Sequence, residues 1–148
     1  MGSPVLHERV AIERDLEELV HCDAYAQDHA IRRHELAQWV AERACLLGEL
    51  EGQVVGFVVV QRNFFGHGFV PLVCVAPAHR RIGCGLRLLS IAESRCQTAK
   101  LFISANASNL PARRLFERAG FVPSGSIENL DEGDVELVYF KPVGLLGA

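Results

Sequence analysis

The chain contains no apolar run near the about 18 residues that a membrane-crossing helix requires, which excludes a helical membrane span. Its first residues, Met1-Gly2-Ser3-Pro4, place no basic stretch before an apolar one, so no secretory signal is read there. A myristoyl attachment at Gly2 would want Ser or Thr at residue 6, where Leu6 stands. The expected location is therefore cytoplasmic, with no membrane partner. The five cysteines, Cys22, Cys45, Cys74, Cys84 and Cys96, are odd in number and lack paired zinc spacing, so free thiols and no metal are expected. A P-loop is excluded because no Gly-Lys-Ser/Thr occurs. A formal net charge of −3 argues against broad nucleic-acid binding. Repeats, linkers and low-complexity segments are also missing.

What is present is a chain of 148 residues, 49% hydrophobic and 22% charged, long enough to bury a core as one domain over 1–148, with a frayed tail from about residue 142. Its most informative stretch is Arg80-Arg81-Ile82-Gly83-Cys84-Gly85, between the strand-forming run Phe69–Val75 and a helical pattern over Leu86–Cys96. Two glycines one residue apart admit close backbone approach. The helix start adds unpaired N–H groups and the positive end of a dipole, and two arginines flank it. This is an anion cradle suited to a phosphate-bearing ligand. A dinucleotide fingerprint would need a further glycine where Leu88 stands. An ordinary glycine turn with solvated arginines is the plainer reading. Cys84 sits at this helix start, so either its thiolate is stabilised and reactive or only its backbone matters.

Periodicity places a strand over Val5–Ile12, a helix carrying Leu16, Leu19 and Val20, and a second helix over about 28–44 with Ile31, Leu36, Trp39 and Val40 as its apolar set. Leu46–Leu50 and Gln53–Gln61 read as strands joined at Glu51-Gly52, with Gly56 marking a bulge or close packing. After a turn over Asn63–Gly68 comes a central strand, Phe69–Ala76, expected to be buried on both faces, in which Pro71 calls for a bulge or an unpaired stretch. The following helix should bury Leu86, Leu89, Ile91, Ala92 and Cys96. A strand over Lys100–Ala105, a helix over Leu110–Ala119 capped by Gly120, and an antiparallel pair, Phe121–Ile127 and Val135–Lys141, complete the pattern.

The segment Asn109-Leu110-Pro111-Ala112-Arg113-Arg114-Leu115-Phe116-Glu117-Arg118-Ala119-Gly120-Phe121 resembles the second signature of the GNAT superfamily of acyl-CoA-dependent N-acyltransferases, and Arg80-x-x-Gly83-x-Gly85 resembles its pyrophosphate loop. The tail from Ile127 to Lys141 is similar to that of a bacterial branch without an assigned substrate. The resemblance implies an α/β (α+β) fold: a mixed, mostly antiparallel seven-stranded sheet flanked by about four helices, its two central strands splayed into a V. It implies acetyl-CoA as co-substrate, with backbone at Val73 and Val75 along the pantetheine arm. It implies pyrophosphate held around Arg80, Arg81, Ile82, Gly83, Cys84, Gly85 and Leu86, and Asn109 and Phe116 beside the arm. Asn109 also reads as a helix N-cap. Many members form homodimers.

The implied activity is transfer of an acetyl group to a primary amine of a small molecule or peptide by direct attack on the thioester. Phe116 stands where many members carry a proton-donating tyrosine. Phe69 and Ser104 stand where members often carry a glutamate base. The remaining candidates for proton handling are Ser104 through an ordered water, His67, and Tyr139; Tyr25, His29 and His79 are further titratable or acceptor-side groups. Each has a plain reading as packing or solvated surface. Rival readings are a non-enzymatic acyl-CoA sensor, an acyltransferase using another acyl-CoA, and a binding module built on the helices over 15–44. The acidic residues Glu128, Asp131, Glu132, Asp134 and Glu136 suit a cationic acceptor or are solvated surface.

Overall fold

The computed structural model describes residues 5–80 and 83–144. Its elements run β1 (His7–Val10), α1 (Leu16–Cys22), α2 (Ala24–Asp28), α3 (Ala30–Ala41), β2 (Cys45–Leu50), β3 (Gln53–Phe64), β4 (His67–Val75), α4 (Cys84–Arg95), β5 (Lys100–Asn106), α5 (Leu110–Arg118), β6 (Val122–Ile127) and β7 (Glu136–Pro142). The strands form a seven-stranded sheet in the order β1-β2-β3-β4-β5-β7-β6, antiparallel except for the β4–β5 pair. Two compact units are separable. One comprises residues 1–60 and 72–92, the other 61–71 and 93–148.

In the first unit the helical layer has three helices where the apolar period suggested two, giving five helices in the described chain rather than four. The break is local chemistry. Asp23 adopts an extended conformation and accepts the Tyr25 N–H at 3.2 Å, starting a new helix, and His29 is extended again before α3. Leu36, Trp39 and Val40 of α3 are buried as expected, but Ile31 is 80% exposed. These helices close over Cys45, Leu47, Phe57 and Val59 of β2 and β3 together with Leu19, Cys22 and Ala26.

The opposite face of β2 and β3 receives α4. Gly48 pairs with Gly56, and the register then shifts so that Glu49 faces Val54, leaving Val55 as an extra residue whose carbonyl accepts the Ala76 N–H at 2.8 Å. A Cβ on Gly56 would lie 2.6 Å from the Cys74 carbonyl oxygen and 2.9 Å from Leu88 Cδ1. Gly56 therefore marks both the bulge and the close packing. Helix α4 begins at Cys84, two residues before the expected start, and its buried set is Cys84, Leu88, Leu89, Ile91 and Ala92; Leu86 and Cys96 are only half-buried.

Arg9 holds Asp15 through two bonds of 2.8 and 2.9 Å, and the Ile12 N–H adds a third at 2.8 Å. Arg9, then the Ile12 amide, keep the buried Asp15 carboxyl below the usual carboxylate range against the opposing effect of burial.

In the second unit β3 continues to Phe64 and β4 begins at His67, so the turn shrinks to Phe65-Gly66, both at positive φ (53° and 80°). The parallel β4–β5 register covers only Gly68–Val70 against Leu101–Ile103 and stops at Pro71, which has no N–H to donate. Most of β4 is half-buried rather than enclosed on both faces; only Gly68 and Val70 are buried. Strand β7 pairs with β5 over its whole length and with β6 across a register shift between Pro123 and Ser126. Gly120 closes α5 at φ 93°, and Lys141 Nζ donates to the Ala119 carbonyl at 2.7 Å while pairing with Glu93. The part of the expected frayed tail over 145–148 lies outside the described residues.

Two outcomes follow for stability. Gly56→Ala should lower the denaturant midpoint by the equivalent of about 1–3 kcal/mol, because neither a backbone oxygen nor the packed Leu88 can give way freely. Asp15 is depressed in the folded state, so its contribution is present above its unfolded value of about 3.9 and is lost as pH falls through the lower folded one. Asp15→Asn should cost about 1.5–3 kcal/mol at neutral pH and flatten the loss of stability below about pH 4, read by urea denaturation across pH.

Candidate active site

The described part of the turn read from the sequence as an anion cradle lies in the first unit. Strand β4 ends with the half-buried Val73 and Val75, and the Arg80 Nε donates to the Val75 carbonyl at 3.3 Å, tying the turn to the strand end. Gly83 has φ +86°, a conformation that costs an L-residue with a Cβ about 1–2 kcal/mol. Its carbonyl accepts the Arg87 N–H at 3.1 Å, so Cys84, Gly85 and Leu86 form the first turn of α4. The N–H groups of a first turn have no acceptor within the helix and point along its axis with the positive end of the dipole. Arg81 and Ile82 lie outside the described residues.

Cys84 is 1% exposed, and burial pushes its thiol up from the ordinary value. Of the two readings of Cys84, burial favours the one in which only its backbone matters. Burial likewise pushes the Cys22 thiol up to about 11 and Cys45 up to about 12, the largest cause in each case. All five cysteines are free thiols. Among the described residues no group of three His, Cys, Asp or Glu side chains is arranged to hold a metal, and no helix is long and apolar enough to cross a membrane.

Tyr25, also in the first unit, is 54% exposed. Its ring stacks on His29 at 3.7 Å between centroids, and the Arg32 guanidinium lies 4.8 Å from its centre. Arg32 is braced by Asp23 at 2.9 Å. Tyr25 is thus not a core residue. His79 keeps its ring Nδ1 buried without a hydrogen-bond partner.

The second unit holds the other candidates. Asn109 caps α5, its Oδ1 accepting the Ala112 N–H at 3.2 Å, which leaves its side-chain NH₂ for another partner. Phe116 is 3% exposed and packs edge-on to the Tyr139 ring, 5.5 Å between centroids. Tyr139 is itself 1% exposed. Its hydroxyl accepts from Arg113 Nε at 3.1 Å and donates to Glu117 at 3.4 Å. It has the geometry of a core tyrosine with a satisfied hydroxyl. His67 opens β4, at the opposite end of the strand from Val73 and Val75, and lies 5.8 Å from the Phe102 ring. Phe69 stacks on Phe64 at 4.9 Å.

Ser104 has a partner that the sequence reading missed. Its Oγ donates to Glu136 Oε2 at 2.7 Å. Glu136 lies 32 residues away and was read only as one charge in an acidic tail. The β5–β7 register, with Ser104 opposite Val138 and Asn106 opposite Glu136, puts both side chains on one face. In that tail Asp131 accepts from Asn106 at 2.8 Å, and Asp134 is engaged by the backbone and hydroxyl of Ser108. These two carboxylates therefore fasten the turn to the β5–α5 connection.

Comparison with known proteins adds to this geometry. Residues 13–121 match the family model of the acetyltransferase (GNAT) family. A solved GNAT-family acetyltransferase from Bacillus cereus is 33% identical, covering 93% of this chain and 97% of its own, with a TM-score of 0.86. The chain belongs to the GNAT acetyltransferase family. YncA, a putative acetyltransferase from Salmonella typhimurium crystallised with its cofactor acetyl-CoA, shares the fold at 20% identity and a TM-score of 0.76, each chain being 95% covered. The ribosomal-protein-S18-alanine N-acetyltransferase of Escherichia coli shares it at 21% identity and a TM-score of 0.77, with 95% and 96% covered. No curated protein matches the chain.

Proposed function

We propose that the chain, acting as one domain over 1–148, is an N-acetyltransferase that moves an acetyl group from acetyl-CoA to a primary amine. The observation that carries this reading is the turn after β4. Gly83 sits at φ +86°, Arg80 is fastened to the strand end, and the first turn of α4 presents the N–H groups of Cys84, Gly85 and Leu86. An anionic pyrophosphate fits such a cradle, because backbone donors and the helix dipole supply charge complementarity without a side chain in the way. Family membership, and relatives crystallised with acetyl-CoA, support the donor.

Within this reading the backbone at Val73 and Val75 lies along the acyl arm, and the Val75 N–H polarises the thioester carbonyl. Phe116 has no proton to give, so the departing thiolate takes its proton from the attacking nitrogen or from water. Of the three proton-handling candidates, Ser104 is favoured, since the Tyr139 hydroxyl is already shared between Arg113 and Glu117 and His67 begins β4 rather than ending it. A sensor that binds acetyl-CoA without turnover is the second reading, favoured by the absence of a tyrosine at Phe116.

Calorimetry should give saturable acetyl-CoA binding to the wild type, at least tenfold weaker for Gly83→Val, whose Cβ strains the turn and crowds the phosphate. Thiol release on a panel of amines then separates enzyme from sensor. A folded wild type that binds no acetyl-CoA contradicts both readings.

A further inference from the structure

One sheet face of the second unit carries a line of apolar side chains. Ile103 and Tyr139 are opposite each other on the face that packs against Phe116 of α5. On the other face Phe102 of β5 is in register with Phe69 of β4 and with Phe140 of β7, and Phe140 with Val122 of β6. Phe64 of β3 stacks on Phe69 at 4.9 Å and lies 5.0 Å from Phe102, which is 5.9 Å from Phe140. Five neighbouring strands thus give one apolar side chain each to a row about 19 Å long, at about 4.8 Å per strand. The four rings are half-buried and Val122 is exposed. Phe65 adds a further ring, edge-on to Phe64 at 5.1 Å, 89% exposed and carried at φ +53°. That conformation suits Asn and disfavours a bulky residue, so folding gains nothing from phenylalanine there. A strained, exposed aromatic beside an apolar row marks an interaction surface.

Charge is graded along the same face. At one end Lys100, two residues before Phe102, is exposed. Residues 61–71 and 94–102 meet at this end, where the Gly68 N–H donates to Thr98 Oγ1 at 2.9 Å. They bring Arg62, His67 and Arg95 and contain no Asp or Glu. At the other end Asn106 is opposite the half-buried Glu136, which accepts from Ser104 at 2.7 Å, and Asn106 itself donates to Asp131 at 2.8 Å. The face therefore runs from cations to carboxylates over about 20 Å, the span of β5 at about 3.3 Å per residue.

We propose that this face docks a second copy of the chain, the two copies related by a two-fold axis that crosses the strands at the level of Ile103. The Lys100 end of each copy then lies over the Glu136 end of the other, so one symmetric contact matches both charges. An axis along the strands would set Lys100 on Lys100 and Glu136 on Glu136, which like-charge repulsion disfavours. Phe102 stands one residue from Ile103, so the two rows are offset by about 7 Å, near the spacing of offset aromatic rings. A footprint of about 19 Å by 20 Å is smaller than the roughly 800 Å² per partner of a stable complex, which makes the association weak, on the order of micromolar. Docking of this kind is independent of the acetyltransferase reading.

Sedimentation velocity of the full chain from about 1 to about 500 μM tests the docking, with urea denaturation of each variant as the check on folding. The wild type should pass from monomer to dimer, with a Kd that rises about fivefold between about 0.05 and 0.5 M salt. Phe65→Asn should raise the Kd about fivefold without lowering the urea midpoint, which separates docking from folding. Lys100→Glu and Glu136→Lys should each raise the Kd about tenfold, and the double reversal should bring it back to within about threefold of the wild type. A wild type still monomeric at about 500 μM overturns the proposal. So does a Kd that Phe65→Asn or the single reversals leave unchanged, or a double reversal that restores nothing. A monomer that instead floats with phosphatidylglycerol vesicles assigns the row to a lipid surface and overturns it as well.

Discussion

Contact at Gly56 sets the position of the turn that we propose as the donor cradle. The bulge at Val55 turns β3 so that its backbone approaches the Cys74 carbonyl, with Leu88 of α4 filling the space where a side chain would project. The same bulge directs the Val55 carbonyl to the Ala76 N–H, just past the end of β4. One missing side chain thereby fixes where the strand ends and where the following helix docks. The N–H groups at the start of α4 are useful only because the helix is held there, and overpacking at Gly56 would have to move strand or helix.

In the function proposed above, donor recognition rests on main chain: a glycine at positive φ, a helix terminus, and a strand end braced by Arg80. These are properties of the fold, and side chains such as Cys84 serve it by being buried.

Much of this was legible in the sequence, for reasons that differ by element. The turn after β4 was readable because a positive-φ position is marked by glycine, and the Asn109–Phe121 helix because its cap and its Gly120 terminator are local. Pro71 was readable as the place where pairing stops, since a missing N–H is a local fact. The short helix α2 was missed because a single Asp23 cap starts it between the two helices that the apolar period marks. Ile31 was assigned to the core on period alone and is solvent-facing. The two readings of Cys84 stayed open because a sequence reveals the nearby arginines but not the burial of the thiol. Glu136 was seen as one of several acidic residues, because its meeting with Ser104 depends on the β5–β7 register, a non-local property. A pairing hypothesis for the last strand would have exposed it.

The central claim is that donor recognition is by main-chain amides after β4, and amide chemical-shift mapping tests it most directly. On titration with acetyl-CoA the account predicts the largest changes at the amides of Gly83, Cys84 and Gly85, joined by Val73 and Val75. Saturable binding with these amides unmoved and shifts confined to other segments would contradict it.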